Sequence, residues 1–184
     1  MNSCLKSLFF TVPLKTLVLN QGKRNLNHFR YGSNVAQLFK STALIKPDGT
    51  SEEGSKLLKD KVTAIYFSAS WCGPCKQFTP HLKKFYDTVN KNEKKMEVIF
   101  VSLDKSKNSM EKYYNENMGT WLRTEYDSEL TNALAEECNV TTIPSLKVVK
   151  NNGDILNIQA REDIMMHGKE DCEGLLQKWK KIAA

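Results

Sequence analysis

Cys72 and Cys75 stand three positions apart with Gly73 and Pro74 between them, and an amphipathic stretch follows. Before them, Val62-Thr-Ala-Ile-Tyr-Phe67 is an unbroken apolar, β-branched and aromatic run, the pattern of a strand buried on both faces. The pair therefore falls where a strand hands over to a helix. A thiolate there faces unpaired backbone N–H groups and the positive end of the helix dipole, which lower its pKa toward neutrality. The thiolate is the attacking species in disulfide exchange. Cys72 is expected at the cap, exposed and attacking, and Cys75 one turn further in, shielded and placed to resolve a mixed disulfide. Pro74 falls in the first turn, where a missing N–H costs little. The spacing lets the two sulfurs bond without unwinding the helix.

Other uses of such a pair fit less well. A structural zinc wants four ligands, commonly two such pairs, and the sequence has no second one. Haem attachment needs a His after the second Cys, where Lys76 stands. Neither a G-x-G-x-x-G nor a Walker pattern is present. No metal and no cofactor is expected, so reducing equivalents must come from another protein or a small dithiol. Cys138 and Cys172 read as small apolar residues on helix faces.

The elements that must position the pair follow from periodicity. Residues 42–50 read as a short strand, a Pro47-Asp48-Gly49 turn and a return, with a short helix over 51–59. Phe78, Leu82, Phe85 and Val89 give the helix after Cys75 one apolar stripe, with Pro80 inside it. Residues 97–103 form a second buried strand, and helices are predicted over 107–118 and 128–138. Strand–helix–strand order implies parallel pairing. Residues 145–149 and 155–158 flank an Asn-Asn-Gly-Asp turn and predict a β-hairpin, and a last helix spans 171–181.

Trp71-Cys-Gly-Pro-Cys75 after a strand, with Ile143-Pro144 before another, resembles the thioredoxin superfamily. Ala64-Ile-Tyr-Phe-Ser-Ala-Ser-Trp-Cys72, Gln77-Phe-Thr-Pro80, Phe85-Tyr86 and the 72 positions from Cys72 to Pro144 are similar to its tryparedoxin/nucleoredoxin branch. The resemblance implies an α/β thioredoxin fold, a central mixed and mostly parallel sheet with helices on both faces. It implies a thiol-disulfide oxidoreductase, with a redox-regulated binding protein of the nucleoredoxin kind as the alternative. It also implies a cis bond before Pro144 and a substrate-binding role for Ile143 and Pro144; Trp71, adjacent to the thiol, is expected to face substrate too, with Gly73 and Pro74 beside it. Two departures stand out: the branch commonly carries Cys-Pro-Pro-Cys, and the acid that thioredoxins place six residues before the first Cys is here Tyr66. The proton acceptor for Cys75 is then a water, the Tyr66 hydroxyl or Asp104.

Length and charge bound the rest. The 184 residues, 40% hydrophobic, suit one domain and a tail, and no uncharged apolar stretch nears the roughly 18 residues of a membrane helix. Seven of the 27 Lys and Arg fall within residues 1–46, which contain no Asp or Glu, leaving 20 basic against 21 acidic side chains beyond. The net +6 is thus a property of the first segment, and a nucleic-acid surface on the domain loses its support. Residues 1–40 are expected to be a basic extension resembling a mitochondrial presequence, with a cytoplasmic tail as the alternative, and 41–184 a thioredoxin-like domain. The expected partners are disulfide-containing proteins and an external reductant, either a thioredoxin reductase-like enzyme or a low-molecular-weight dithiol. Neither nucleic acid nor membrane is expected to bind, and the protein is expected to act as a monomer.

Overall fold

The computed structural model describes Phe39 and residues 42–150, 152–156 and 158–184. The presequence reading of residues 1–40 lies outside the described residues, Phe39 excepted. β1 (Ala43–Ile45) and β2 (Ser51–Glu53) pair antiparallel about the Pro-Asp-Gly turn. That turn needs Gly49 at a φ of +84° and is held by the Asp48 carboxylate, which accepts from the Thr50 N–H at 2.9 Å and hydroxyl at 2.6 Å. Residues 51–53 therefore belong to the return strand, and the helix expected from 51 is cut back to α1 (Gly54–Leu57). β3 (Val62–Ser68), α2 (Gly73–Val89), β4 (Met96–Ser102) and α3 (Lys107–Asn117) follow close to their expected positions. β5 (Leu122–Arg123), α4 (Ser128–Glu137), β6 (Ser145–Val149), α5 (Ala160–His167) and α6 (Cys172–Ala183) complete the order.

The strands form one sheet in the order β2-β1-β5-β4-β3-β6. β3 and β4 run parallel from Val62 opposite Met96 to Ser68 opposite Ser102, and β5 joins β4 in the same sense. The other pairings are antiparallel. The sheet is mixed as expected, but its parallel part is confined to the three central strands, because a hairpin occupies one flank and β6 returns against β3 on the other. The second strand of the expected 145–158 hairpin shrinks to a single bridge, Val149 to Ile155, with Leu156 N–H on the Val148 carbonyl at 2.8 Å. The Ile158 N–H then turns back to the Leu156 carbonyl at 2.9 Å, which bends the chain away toward α5.

Period-two alternation divides the core. Ala64, Tyr66, Val98 and Phe100 face one layer with Phe78, Leu82 and Phe85 of α2, Tyr113 and Tyr114 of α3, Ile164 of α5 and Trp179 of α6. Ile65, Phe67, Ile99 and Val101 face the other, with Phe39, Leu44, Leu134 and Cys138. Helices thus cover both faces, which is why β3 and β4 are buried at every residue.

Candidate active site

The site lies where the parallel strands end, the usual location for chemistry in such a sheet. Past the end of β3, Ala69-Ser70-Trp71 carries the chain over the sheet edge, and Cys72 becomes the N-cap of α2. Cys72 and Cys75 are joined as a disulfide, with Cα atoms 5.2 Å apart. The Cys72 sulfur accepts the Cys75 backbone N–H at 3.2 Å, one of the donors a helix start leaves unpaired. Pro74 sits in the first turn, and that turn contains no acidic residue to oppose a thiolate.

Cys75 is fully buried, as expected, but Cys72 is only 5% exposed, which corrects the expectation of an open thiol. The cover comes from the chain just before β6 and just after β4, the two strands that flank β3. The peptide between Ile143 and Pro144 is cis, and the Ile143 carbonyl oxygen lies 3.7 Å from the Cys72 sulfur. Leu103 and Ile143 pack against Ala69 and the two cysteines and account for the cover over Cys72. Of the other residues expected to meet substrate, Pro144 is buried and Ile143 half-buried, which corrects the expectation that Pro144 is open to a substrate, while the remaining three lie close to Cys72 in the chain. Trp71 is 60% exposed, and Gly73 and Pro74 are exposed with open space where a Gly73 side chain would be.

Polar contacts that single-sequence reasoning did not supply hold this loop. Asp104, beyond the end of β4, accepts from Ser70 N–H at 3.0 Å, Ser70 hydroxyl at 2.6 Å and Ser102 hydroxyl at 2.9 Å. The Trp71 indole N–H donates to the Leu103 carbonyl at 3.3 Å. Together they tie the segment before Cys72 to the neighbouring strand end. Strand boundaries alone gave one signal, since parallel neighbours bring Ser70 and Asp104 to the same sheet edge.

The two side chains considered as proton acceptors for Cys75 are placed differently from one another. The Thr79 hydroxyl donates to the Cys75 carbonyl at 2.8 Å, which uses its only proton, so the Tyr66 hydroxyl at 2.9 Å donates to Thr79. Burial pushes the Tyr66 phenol up to about 12, with hydrogen bonds to Ser68 and Thr79 pulling the other way. Tyr66 is therefore a neutral donor braced against the Cys75 backbone, while Asp104 is occupied with Ser70 and Ser102. Neither hydrogen-bonds the Cys75 sulfur. Among the described residues no group of three or more His, Cys, Asp or Glu is gathered as a metal site would require.

The family model described as thioredoxin-like matches residues 60–155. Bovine nucleoredoxin is 34% identical over 132 residues, which is 71% of this chain but 29% of that protein. The chain thus spans less than a third of the length of that relative. Tryparedoxin of Trypanosoma brucei brucei is 33% identical over 141 residues, covering 76% of this chain and 92% of that one. Among solved structures, a thioredoxin from Wuchereria bancrofti superposes with a TM-score of 0.65 at 38% identity, over 79% of this chain and 98% of that one.

Proposed function

We propose, from the premise that this chain belongs to the thioredoxin-like family, that it reduces disulfides in other proteins by dithiol–disulfide exchange. It is a thioredoxin-like oxidoreductase whose Cys72–Cys75 pair can close as a disulfide. The observation that carries the finer reading is the placement of that pair: one sulfur caps a helix between the exposed Trp71 and Gly73, and the other lies fully buried one turn behind it.

In the reduced protein the Cys72 thiolate attacks one sulfur of the substrate disulfide. The substrate S–S bond breaks, a mixed disulfide forms, and the departing thiolate takes a proton from solvent. Cys75 loses its proton and attacks the Cys72 sulfur. The 72–75 disulfide closes, and the second substrate thiolate leaves and is protonated. Two electrons pass from this protein to the substrate, and an external dithiol restores them. Trp71, Gly73, Pro74 and the half-buried Ile143 form the surface on which the substrate chain rests, with the buried Pro144 behind Ile143. The Ile143 carbonyl oxygen lies 3.7 Å from the Cys72 sulfur, so a substrate chain laid along Ile143 brings its own sulfur close to Cys72.

Insulin-disulfide reduction by the full chain, with dithiothreitol as donor, tests this. Wild type should turn over well above dithiothreitol alone, Cys72→Ser should fall to that background, and Cys75→Ser should accumulate mixed disulfides through Cys72. Turnover no faster than dithiothreitol alone, or turnover surviving Cys72→Ser, would sink the reductase reading. The first of these would favour a redox-regulated binding protein.

A further inference from the structure

An open cavity of about 610 Å³ lies at the end of the sheet opposite the disulfide. Its walls come from α1, the start of β3, the end of β6 and the end of α6. Val62 and Thr63 line it, whereas Cys72 follows the other end of β3, and seven strand residues at about 3.3 Å each separate the two sites by roughly 20 Å. The floor is apolar, built from Phe39, Leu58, Val62, Val149 and Ala183. The rim is charged: the side chains of Lys59, Lys61, Lys150 and Lys180 stand against one side-chain carboxylate, that of Asp60, and Ala184 also lines the wall.

The lysines are not equivalent. Lys61 is spent on the chain itself, donating to the Leu57 carbonyl at 2.8 Å and the Lys59 carbonyl at 3.5 Å. Lys59, Lys150 and Lys180 make no ion pair with any described residue. Three ammonium groups without an ion-pair partner among the described residues therefore surround an apolar hollow of the size that small ligands occupy. An occupant must offer apolar surface to the floor and negative charge to the rim. The segment 1–38 of this chain brings five basic side chains and no acidic one, so charge disfavours it as that occupant.

We propose that this cavity is a second binding site, independent of the disulfide, for a small amphiphilic anion such as a medium-chain carboxylate. The tail lies on Phe39, Val62 and Val149, and the head group meets Lys150 and Lys180 at the mouth. Binding there touches neither cysteine and does not require the redox pair in either state.

Calorimetric titration of the full chain, below the micellar concentration, checks this with three probes: decanoate, inorganic phosphate and decyltrimethylammonium. Decanoate should bind at one site, at least about tenfold more tightly than the other two probes. The double variant Lys150→Gln/Lys180→Gln should weaken decanoate at least about tenfold, and Lys150→Arg/Lys180→Arg should stay within about threefold of wild type. Cys72→Ser should bind as wild type does. Absence of saturable decanoate binding overturns the proposal, as does unchanged affinity in the double Gln variant. Phosphate binding as tightly as decanoate would remove the role of the apolar floor, and equal binding of the cationic amphiphile would remove the role of the lysines.

Discussion

At the residue scale, Cys72 and Cys138 show how placement alone separates a reactive thiol from an inert one. Cys72 caps a helix beside exposed residues and is 5% exposed, whereas Cys138 ends α4 inside the core and is 1% exposed. Burial pushes the Cys138 thiol up to about 12, Lys147 lowering it and Glu137 raising it by lesser amounts. Only about one molecule in ten thousand would carry its thiolate at pH 8. Iodoacetamide added at pH 8 to the reduced native protein should alkylate Cys72 first and reach Cys138 only after denaturation, as read by peptide mass spectrometry. Raising the pH toward 12 should speed Cys138. Labelling of Cys138 at the rate of Cys72 would show that its helix end opens readily.

At the scale of elements, α1 and the first hairpin depend on a residue that precedes them. Phe39 is 2% exposed and packs in the cluster that contains Leu44. Gly54, at the start of α1, lies against it so closely that a Cβ there would stand 2.5 Å from the Phe39 carbonyl oxygen. A side chain at position 54 would thus push apart the contact that seats α1 on the sheet. Truncating Phe39 empties the same contact without altering a cysteine, and Phe39→Ala should cost about 3–5 kcal/mol, seen as a lower urea midpoint. A change under about 0.5 kcal/mol would mean that the ring adds little to the hairpin's anchoring. Near the site the tie is polar instead: Asp104 joins the end of β4 to the loop after β3, accepting the Ser70 N–H at 3.0 Å.

At the scale of the whole molecule, burying so many phenols and a thiol sets an alkaline limit. Burial is the largest cause in each case: it raises Tyr66, Tyr114 and Cys138 to about 12 and pushes Tyr86, whose hydroxyl faces the Glu97 carboxylate at 2.9 Å, higher still. The unfolded chain ionises these groups near 9 for the thiol and 10 for the phenols. Between those values and the folded ones the native state holds protons that the unfolded state has released, so stability must fall as pH rises past about 9. Urea unfolding at pH 10.5 should show a loss on the order of 3 kcal/mol relative to pH 8. Equal or greater stability at pH 10.5 would contradict the burial of these groups.

Residue spacing and short-range periodicity determined a large part of this protein. The Cys-Gly-Pro-Cys spacing, the apolar runs of β3 and β4, and the stripe Phe78, Leu82, Phe85 and Val89 each depend on neighbours within a few turns or strand residues, and local patterns record such relations. The resemblance added the cis bond at Pro144, which no pattern displays. α5 escaped because only Ala160 and Ile164 of its eight residues are buried, too few to print a helical stripe. β5, two residues long, is a strand only because β4 and β1 flank it. Tertiary structure alone decided that Ile143, 71 residues from Cys72, closes over its sulfur, and that Asp104 ties down Ser70 across 34 residues. Those contacts follow from which strand lies beside which, and strand order is set by burial summed over the whole sheet rather than by any local run of residues.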